Sequence, residues 1–366
     1  MNSNDLLHQI SLTQINNIGC VQAKILLEHF NTAEAIFKAK KKELSLIDGI
    51  GEIRANNIKH FDTFKDAEQE IKFIEKHHIQ PLFITDKNYP QKLLNCYDAP
   101  TMLYYRGRGD LNAQKSISII GTRNNTDYGK QITEQLIADL ANENITIYSG
   151  LAFGIDAIAH KAALKNNLPT VGVLAHGLDS IYPAQHKTLA TEMLLNGGLL
   201  TEFPKGTKAD KHNFPKRNRI VAGIADATIV VETAIKGGSM ITAELAYNYN
   251  KDLFAIPAKI TDIKSAGCLK LIIQNKAVLL TSAQQLLDNM NWQTKPKTIK
   301  KQRELFIDLS ADEKLLFDII EKKETISIDE IYNLSNLNSS SVAAALLSLE
   351  LQNLINSLPG KIYKVM

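Results

Sequence analysis

The sequence lacks most of the features that mark secreted, membrane or metal-binding proteins. Its three cysteines, Cys20, Cys96 and Cys268, are scattered and form no CxxC pair, which favours reduced thiols over a disulfide framework or a zinc site. No apolar run is long enough to cross a bilayer. The first residues lack the basic segment and apolar core of a signal peptide. We therefore expect a cytoplasmic protein with no membrane contact.

The chain also lacks the short motifs of several enzyme classes. A Walker loop, a GxGxxG fingerprint, a GxSxG elbow and an HExxH motif are all missing, which argues against NTPase, dinucleotide, serine-hydrolase and zinc chemistry. We therefore predict no metal site and no cofactor. The formal net charge is only +3 over 366 residues, so any nucleic-acid binding must depend on a local patch.

Residues 1–62 show the pattern of a small helical domain. It contains two similar turns, at 15–19 and 47–51, and a helical pattern with Lys or Arg follows each. These turns resemble the helix-hairpin-helix turn, whose glycines let backbone amides approach a DNA phosphate. A helical bundle with glycines at its helix ends explains the same pattern. We interpret residues 63–115 as a connector in which 102–105 could be an edge strand.

From residue 116 the pattern alternates between strands and helices. Candidate strands are 116–120, 145–149, 170–174, 198–201, 227–231, 252–256 and 277–280. Helical patterns between them are 127–142, 155–166, 186–196, 239–250 and 268–275. This alternation predicts an α/β fold with a mainly parallel, extended Rossmann-like sheet and helices on both faces, in a domain of residues 63–290. Ligands of such sheets bind outside the carboxyl ends of the strands.

The composition changes after the sheet domain. Residues 291–309 are rich in Lys and Thr and are predicted to be a linker. Residues 310–366 show helical patterns near 311–322, 328–334 and 339–352, followed by two short strands over 355–365, which is the layout of a winged-helix domain. The third helix would read DNA, but it is poor in Lys and Arg. A role in protein contact therefore remains open.

Several loops of the sheet domain have the character of phosphate sites. Gly121, Thr122 and Arg123 follow the first parallel strand, where Gly121 allows a sharp turn and Arg123 offers a fork of donors. The segments 149–150 and 236–239 likewise place glycines before a helix, and backbone N–H groups at a helix N-terminus bind anions.

The densest basic group of the sheet domain contains an aromatic residue. It comprises Lys211, Phe214, Lys216, Arg217 and Arg219. Cations along a groove follow a sugar–phosphate chain, while an exposed ring stacks on any unpaired base. The alternative is that residues 214–215 pack into the core and the charges are simply solvated.

An enzymatic alternative rests on two carboxylates. Glu232 and Glu244 flank the glycine-rich segment 236–239 and could act as acid and base. The run 237–244 also looks like the loop of nucleoside-monophosphate phosphoribohydrolases, although Lys236 replaces the proline of that loop and its third glycine is missing. The other reading is that Glu232 caps a loop and Glu244 lies on a helix surface.

Taken together, the motifs resemble those of the DprA/Smf family of DNA-processing proteins. The resemblance rests on IGTR at 120–123, SGLAFGID at 149–156, FPKRNRI at 214–220, and shorter matches at 89–90, 128–129, 159–160, 177–179, 182–183, 201–202, 238–239 and 242–243. It implies an extended Rossmann fold that binds single-stranded DNA and has no catalytic activity. It also implies a homodimer that protects incoming DNA and loads the RecA recombinase during natural transformation.

The resemblance also implies roles for individual residues. Gly121, Thr122 and Arg123 would hold a phosphate, and Phe214 would stack on a base. Lys211 and Arg217 would extend the cationic groove, and Asn218 and Arg219 would either order the pocket or touch the DNA strand. The rim would be completed by Gly150, Gly238 and Ser239. The chain departs from the family pattern at Ala258 and Leu269, where the family usually has Gly and Asn.

Overall fold

The computed structural model describes residues 3–292, 309–323, 325–352, 354–358 and 360–365. The chain divides into two compact units, residues 1–293 and 294–366. Most of the predicted linker lies outside the described residues. None of the helices in the described ranges has the length and apolar character that a bilayer-spanning segment needs.

The first unit begins with short helices whose two turns are joined to each other. The helices are α1 (Ser3–Gln14), α2 (Cys20–Phe30), α3 (Ala33–Lys38), α4 (Lys41–Ser45) and α5 (Gly51–Lys59). Arg54 on α5 donates from Nε to Asn17 O at 2.9 Å and from Nη1 to Gly49 O at 3.1 Å. The two turns that look alike in the sequence are therefore held together by one guanidinium.

Within residues 3–292, nine strands form one sheet in the order β1-β2-β6-β5-β4-β3-β7-β8-β9. The strands are β1 (Gln80–Phe83), β2 (Met102–Gly107), β3 (Ser116–Ile120), β4 (Thr146–Ser149), β5 (Thr170–Val173), β6 (Gly197–Thr201), β7 (Ala227–Val230), β8 (Asp252–Ala255) and β9 (Val278–Leu279). Strands β3 to β9 pair in parallel, whereas β1 and β2 are antiparallel. The predicted Rossmann-like, mainly parallel sheet is confirmed.

Two interpretations of the segment before residue 116 were wrong. The segment 102–105 is not an edge strand, because β2 lies between β1 and β6 inside the sheet. The interpretation of 63–115 as a connector was also wrong, because this segment contributes β1 and β2 to the sheet together with the helix Phe64–Lys76. Its turn-forming residues hid an antiparallel extension of the parallel core.

Helices cover both faces of the sheet. After α6 (Phe64–Lys76) and α7 (Gln91–Leu94), the helices of this unit are α8 (Asp127–Asp139), α9 (Ile155–Lys165), α10 (Lys187–Met193), α11 (Asn213–Ile224), α12 (Gly238–Asn248), α13 (Ala266–Ile273) and α14 (Ala283–Asn289). Helices α11, α12 and α13 share one apolar core with the N-terminal helices, while α8, α9 and α14 form a second core with the other face. Strand β3 shows why both faces are covered: Ile117 and Ile119 belong to the second core, whereas Ser118 donates to Val221 O on α11 at 2.6 Å.

The direction of the strand order reverses at β3. Strands β4, β5 and β6 extend from β3 to one side, and β7, β8 and β9 extend to the other. Loops after the strands on the two sides of such a reversal diverge and leave a crevice at the carboxyl ends. The fold therefore places a crevice where β3 and β7 end.

The second unit is a winged helix. It contains α15 (Ala311–Lys323), β10 (Ile326–Ser327), α16 (Ile328–Ser335), α17 (Ser339–Leu351), β11 (Ile355–Leu358) and β12 (Ile362–Val365). The strands form a small sheet in the order β10-β12-β11. The exposed side of α17 carries Ala343, Ala344, Leu347 and Leu351 rather than basic residues.

Candidate nucleic-acid interface

A cavity of about 460 Å³ lies at the carboxyl ends of the central strands. It is bordered by the segments after β3, β4 and β7 and by the first turns of α11 and α12. The candidate site residues that line it are Gly121, Thr122, Arg123, Gly150, Lys211, Phe214, Arg217, Asn218, Gly238 and Ser239. Arg219 does not line it.

A cation and an aromatic ring face each other at this cavity. The guanidinium carbon of Arg123 lies 5.2 Å from the centroid of the Phe214 ring. Arg123 and Lys211 are exposed, whereas Phe214 is half-buried. Among the described residues, no carboxylate forms a salt bridge with Arg123 or Lys211. Both charges are therefore available to an anionic ligand.

Helix α11, which the sequence patterns did not indicate, forms one wall of this cavity. It spans Asn213–Ile224, and Pro215 stands in its first turn, where the missing N–H of proline costs nothing. Residues three and four apart share a helix face, so Phe214, Arg217, Asn218 and Val221 all point to the cavity. In the sequence, Pro215 and the charged residues around it look like a loop, so the start of this helix was not predicted.

Arg217 lies at the floor of the cavity rather than on its surface. It is buried, and its Nη1 donates to Val173 O at the end of β5 at 2.9 Å. A Cβ atom at Gly150 would lie 1.7 Å from Arg217 Nη1, so only glycine leaves room for the guanidinium. The Nε atom of Arg217 has no hydrogen-bond partner within the described part of the chain.

The charge of Arg217 is offset by a buried carboxylate. Asp156 accepts hydrogen bonds from the backbone N–H groups of Gly150 at 3.1 Å and Ala152 at 3.4 Å. Burial lowers the pKa of Arg217, and the negative charge of Asp156 opposes this change. Arg217 therefore adds structure more than net charge to the groove, whereas Arg123 and Lys211 supply the free positive charge.

The end of β3 is held so that Arg123 projects outward. Thr122 N donates to Glu232 O at 2.7 Å, and Thr122 O accepts from Ile155 N at 3.2 Å. A Cβ atom at Gly121 would lie 2.5 Å from Ile155 Cγ1, so glycine lets α9 approach the strand. The segment immediately before the arginine is therefore fixed by its neighbours.

Helix α12 presents its N-terminus to the same cavity. Ser239 donates from Oγ to Thr233 Oγ1 at 2.7 Å, which ties the helix start to the end of β7. A Cβ atom at Gly238 would meet nothing within 4 Å, so packing within the protein does not require glycine there. The open space lies beside backbone N–H groups that have no partner within a helix.

The two carboxylates of the enzymatic alternative do not line the cavity. Glu232 is buried and accepts from Thr126 N at 2.9 Å and from the Thr126 hydroxyl. Glu244 pairs with Lys276 at 2.6 Å. Asp156 is the one carboxylate among the described residues that lines the cavity, and it is buried. This geometry supplies no exposed acid–base pair.

Arg219 lies on a different face of α11 from Phe214 and Arg217. Its guanidinium donates to Glu202 and to the Asp98 carbonyl oxygen, and it contacts Cys20 Sγ at 3.2 Å. It thereby joins the sheet to the N-terminal helices. Of the two roles considered for Arg219, its contacts support the ordering of the structure.

Some cavity residues were not singled out from the sequence. Thr233 follows the end of β7, and its hydroxyl accepts a hydrogen bond from the Ser239 hydroxyl. Its carbonyl oxygen accepts from Gly267 N at 2.8 Å. The signal for Thr233 was its place just after an apolar run. The two departures from the family pattern, Ala258 and Leu269, do not line the cavity.

Comparison with protein families agrees with this architecture. The model described as DNA recombination-mediator protein A matches residues 80–291, more than half of the chain. The chain belongs to this DprA/Smf family. A SAM-like helix-hairpin-helix tandem matches residues 10–61, and a DprA winged-helix domain matches residues 304–361. The helix-hairpin-helix interpretation of the first helices is thus preferred to a plain bundle.

Relatives support the family assignment along the whole chain. Protein Smf of Synechocystis is 31% identical over 407 residues, covering 100% of both chains. The X-ray structure of DprA from Streptococcus pneumoniae is similar with a TM-score of 0.68 and 32% identity, over 77% of this chain and 97% of that one. DNA processing protein A from Helicobacter pylori, whose structure concerns its single-stranded DNA binding mode, gives a TM-score of 0.53 and 32% identity, over 58% of this chain and 95% of that one.

The contacts of Arg219 predict a stability effect rather than a binding effect. Replacing Arg219 with Met leaves Glu202, only 14% exposed, without its cation. We expect a loss of about 3–5 kcal/mol in the free energy of unfolding, measured by urea denaturation. Adding Glu202→Gln should restore part of this loss. Arg108→Met, at an exposed arginine, is the matched control, and equal stability of the two single variants would contradict this role.

Proposed function

We propose that this protein binds single-stranded DNA along the cavity at the carboxyl edge of its sheet and holds the strand for recombination. The observation that carries the proposal is the pairing of Arg123 with the Phe214 ring, 5.2 Å apart, at the cavity. One member of the pair suits a phosphate and the other a base. A nucleotide offers both groups at once.

The phosphate side of the site combines exposed cations with a helix N-terminus. Arg123 and Lys211 are exposed and line the cavity together with Gly238 at the start of α12. A guanidinium and backbone N–H groups both donate to phosphate oxygens without reading sequence. We therefore infer that affinity depends on salt and little on base sequence.

The base side of the site favours an unpaired strand. The face of a base is free to stack on Phe214 only when that base is not stacked in a duplex, and stacking tolerates every base. The cavity volume of about 460 Å³ lies in the range that small-molecule ligands occupy. The single-stranded DNA binding named for the Helicobacter pylori relative supports the same ligand.

The proposal predicts that Arg123→Ala weakens the binding of single-stranded oligonucleotides of all sequences alike. Loss of one charge-assisted contact should reduce affinity roughly ten-fold or more at low salt. The slope of log affinity against log salt should become shallower by about 0.7, as expected for one phosphate on a single strand. Gel shifts and fluorescence anisotropy across a salt series measure both effects.

The matched control is Arg108→Ala. Arg108 is also exposed, but it follows β2 beside Gly197, where β6 begins, at the opposite edge of the sheet. This variant should bind like the original protein. If Arg123→Ala kept the original affinity and salt dependence, or if duplex DNA bound as tightly as single strands, the proposed site would be wrong.

We further propose that the bound strand passes to a RecA recombinase and that this occurs in the cytoplasm during natural transformation or recombination. The family description as a recombination mediator supports a role in assembling a recombinase on DNA. A protein that holds the backbone by salt-dependent contacts can protect a strand and still release it. No step of this role requires catalysis by the protein.

Recombinase loading has a direct test. The protein should speed the assembly of RecA on single-stranded DNA that is already coated with single-strand-binding protein. The DNA-dependent ATPase rate of RecA measures this assembly. Arg123→Ala should lose most of this stimulation, whereas Arg108→Ala should keep it. Equal RecA assembly with and without the protein would refute the loading role and leave DNA binding untouched.

A homodimer through the β9 edge of the sheet is also proposed. Strand β9 pairs on one side with β8 and ends the sheet, and Val278 and Leu279 are both exposed. Nearby segments expose Ile260, Ile263 and Ile273, each at least 79% accessible. An apolar sheet edge of this kind is a common place for a second chain to pair.

The dimer proposal predicts a change in mass on substitution. Ile263→Asp combined with Ile273→Asp should convert a dimer to a monomer in sedimentation velocity, because burying two carboxylates opposes association. Leu195→Asp, at a residue 69% exposed elsewhere in the unit, should leave the mass unchanged. A monomeric original protein, or a dimer that survives the double substitution, would rule out this edge.

A further inference from the structure

A second hollow borders the cavity on the far side of Arg123 and Phe214. These two residues line both spaces, and the second hollow is completed by Phe153, His176 and Tyr182. Its enclosed volume is only about 20 Å³, far below the several hundred Å³ that a small-molecule pocket occupies. The hollow is too small to enclose a nucleotide, so only its rim can offer a surface for stacking.

The rim of this hollow exposes two aromatic rings. Tyr182 is 51% exposed and Phe153 is 44% exposed. The Tyr182 ring lies 6.1 Å from the Phe214 ring, centroid to centroid, with 55° between the ring planes. Rings that clamp one base between them are parallel, whereas these are strongly inclined. Tyr182 and Phe214 therefore do not clamp one base between them, and each of these two rings can stack on a different base.

The segment that carries Tyr182 is fixed by a buried histidine. Tyr182 N lies 3.2 Å from His176 Nε2, to which it donates, and His176 Nδ1 lies 2.9 Å from Gly177 O. His176 and Pro183 are buried. The backbone at Tyr182 is thus held in place while its ring stays in water.

The loop that carries Phe153 is held in a similar way. The Phe153 ring meets the ring of His186 at 4.9 Å, and His186 Nδ1 lies 2.9 Å from Leu151 O. Gly154 has φ of 77°, and a Cβ atom there would lie 2.2 Å from Thr122 O. The loop is therefore packed tightly against the segment that carries Arg123. Rings fixed before binding lose little entropy when a ligand stacks on them.

We propose that Tyr182 and Phe153 form a second base-stacking platform, which takes the nucleotide next to the one on Phe214. This inference rests on the proposed binding of single-stranded DNA. Arg123 borders both spaces, so it lies where the phosphate between two stacked nucleotides would pass. A strand then runs from the cavity over Phe214 towards the end of β5, with each base on its own ring.

An abasic scan tests the platform. A short oligothymidylate, with one abasic nucleotide moved along its length, is bound to the original protein and to variants. The original protein should show two adjacent sensitive positions, each costing roughly ten-fold in affinity. Tyr182→Ala with Phe153→Ala should remove the sensitivity at one position, and Phe214→Ala should remove it at the other.

Three further variants make the result specific. Tyr182→Phe keeps the ring and should keep the original pattern. Tyr97→Ala removes an aromatic residue that is 65% exposed and lines neither space, and it should bind like the original protein. Thermal unfolding of each variant, including Tyr182→Ala alone, establishes that the fold is retained.

The outcomes separate this platform from the proposed function. If Arg123→Ala and Phe214→Ala weaken binding but loss of Tyr182 and Phe153 changes neither affinity nor the abasic pattern, the platform is refuted and the primary site stands. If those two substitutions alter only the mass of the protein, the rings form a protein contact and the platform is again refuted. If the original protein binds no single strand, both proposals fail.

Discussion

The buried guanidinium of Arg217 is the interaction on which the geometry of the cavity depends. It donates to the end of β5 and fills the space that a side chain at residue 150 would need. Asp156, which holds the turn after β4, offsets its charge. Because Arg217 anchors the N-terminal half of α11, Phe214, three residues earlier on the same face, is brought over the cavity to meet Arg123. Burying the Arg217 guanidinium costs free energy, but it fixes the position of the Phe214 ring on which a base would stack.

This arrangement separates charges that build the site from charges that remain free. Arg217 and Arg219 are enclosed and matched with Asp156 and Glu202, so they tie segments together. Arg123 and Lys211 are exposed and have no carboxylate partner in the described part of the chain. The net charge of the whole protein, +3, is small, and the binding surface depends on where these few charges lie rather than on their total.

The parallel strands could be predicted closely because most of them are short apolar runs, each separated from the next by a helix or a turn signal. The strand predicted at 116–120 is β3 at the same residues, and the runs at 170–174 and 227–231 differ from β5 and β7 by one residue. Strand β2 was harder, because an antiparallel strand among turn residues has no following helix to mark it. Helix α11 was missed because Pro215 and its charged neighbours look like a loop. Without the helix, the sequence could not show that Arg217 and Arg219 lie on different helix faces.

By itself, the sequence determined the order of the parallel strands β3 to β9, the glycines at the strand ends and the residue types near the cavity. Their proximity follows from local pattern alone, since the carboxyl ends of parallel strands share one edge. Only the tertiary structure decided which charges are free, which are buried, and which rings stay exposed. The reason is that Arg123, Arg217 and Arg219 are chemically alike, and they differ only in the distant carboxylates and carbonyls that folding brings to them.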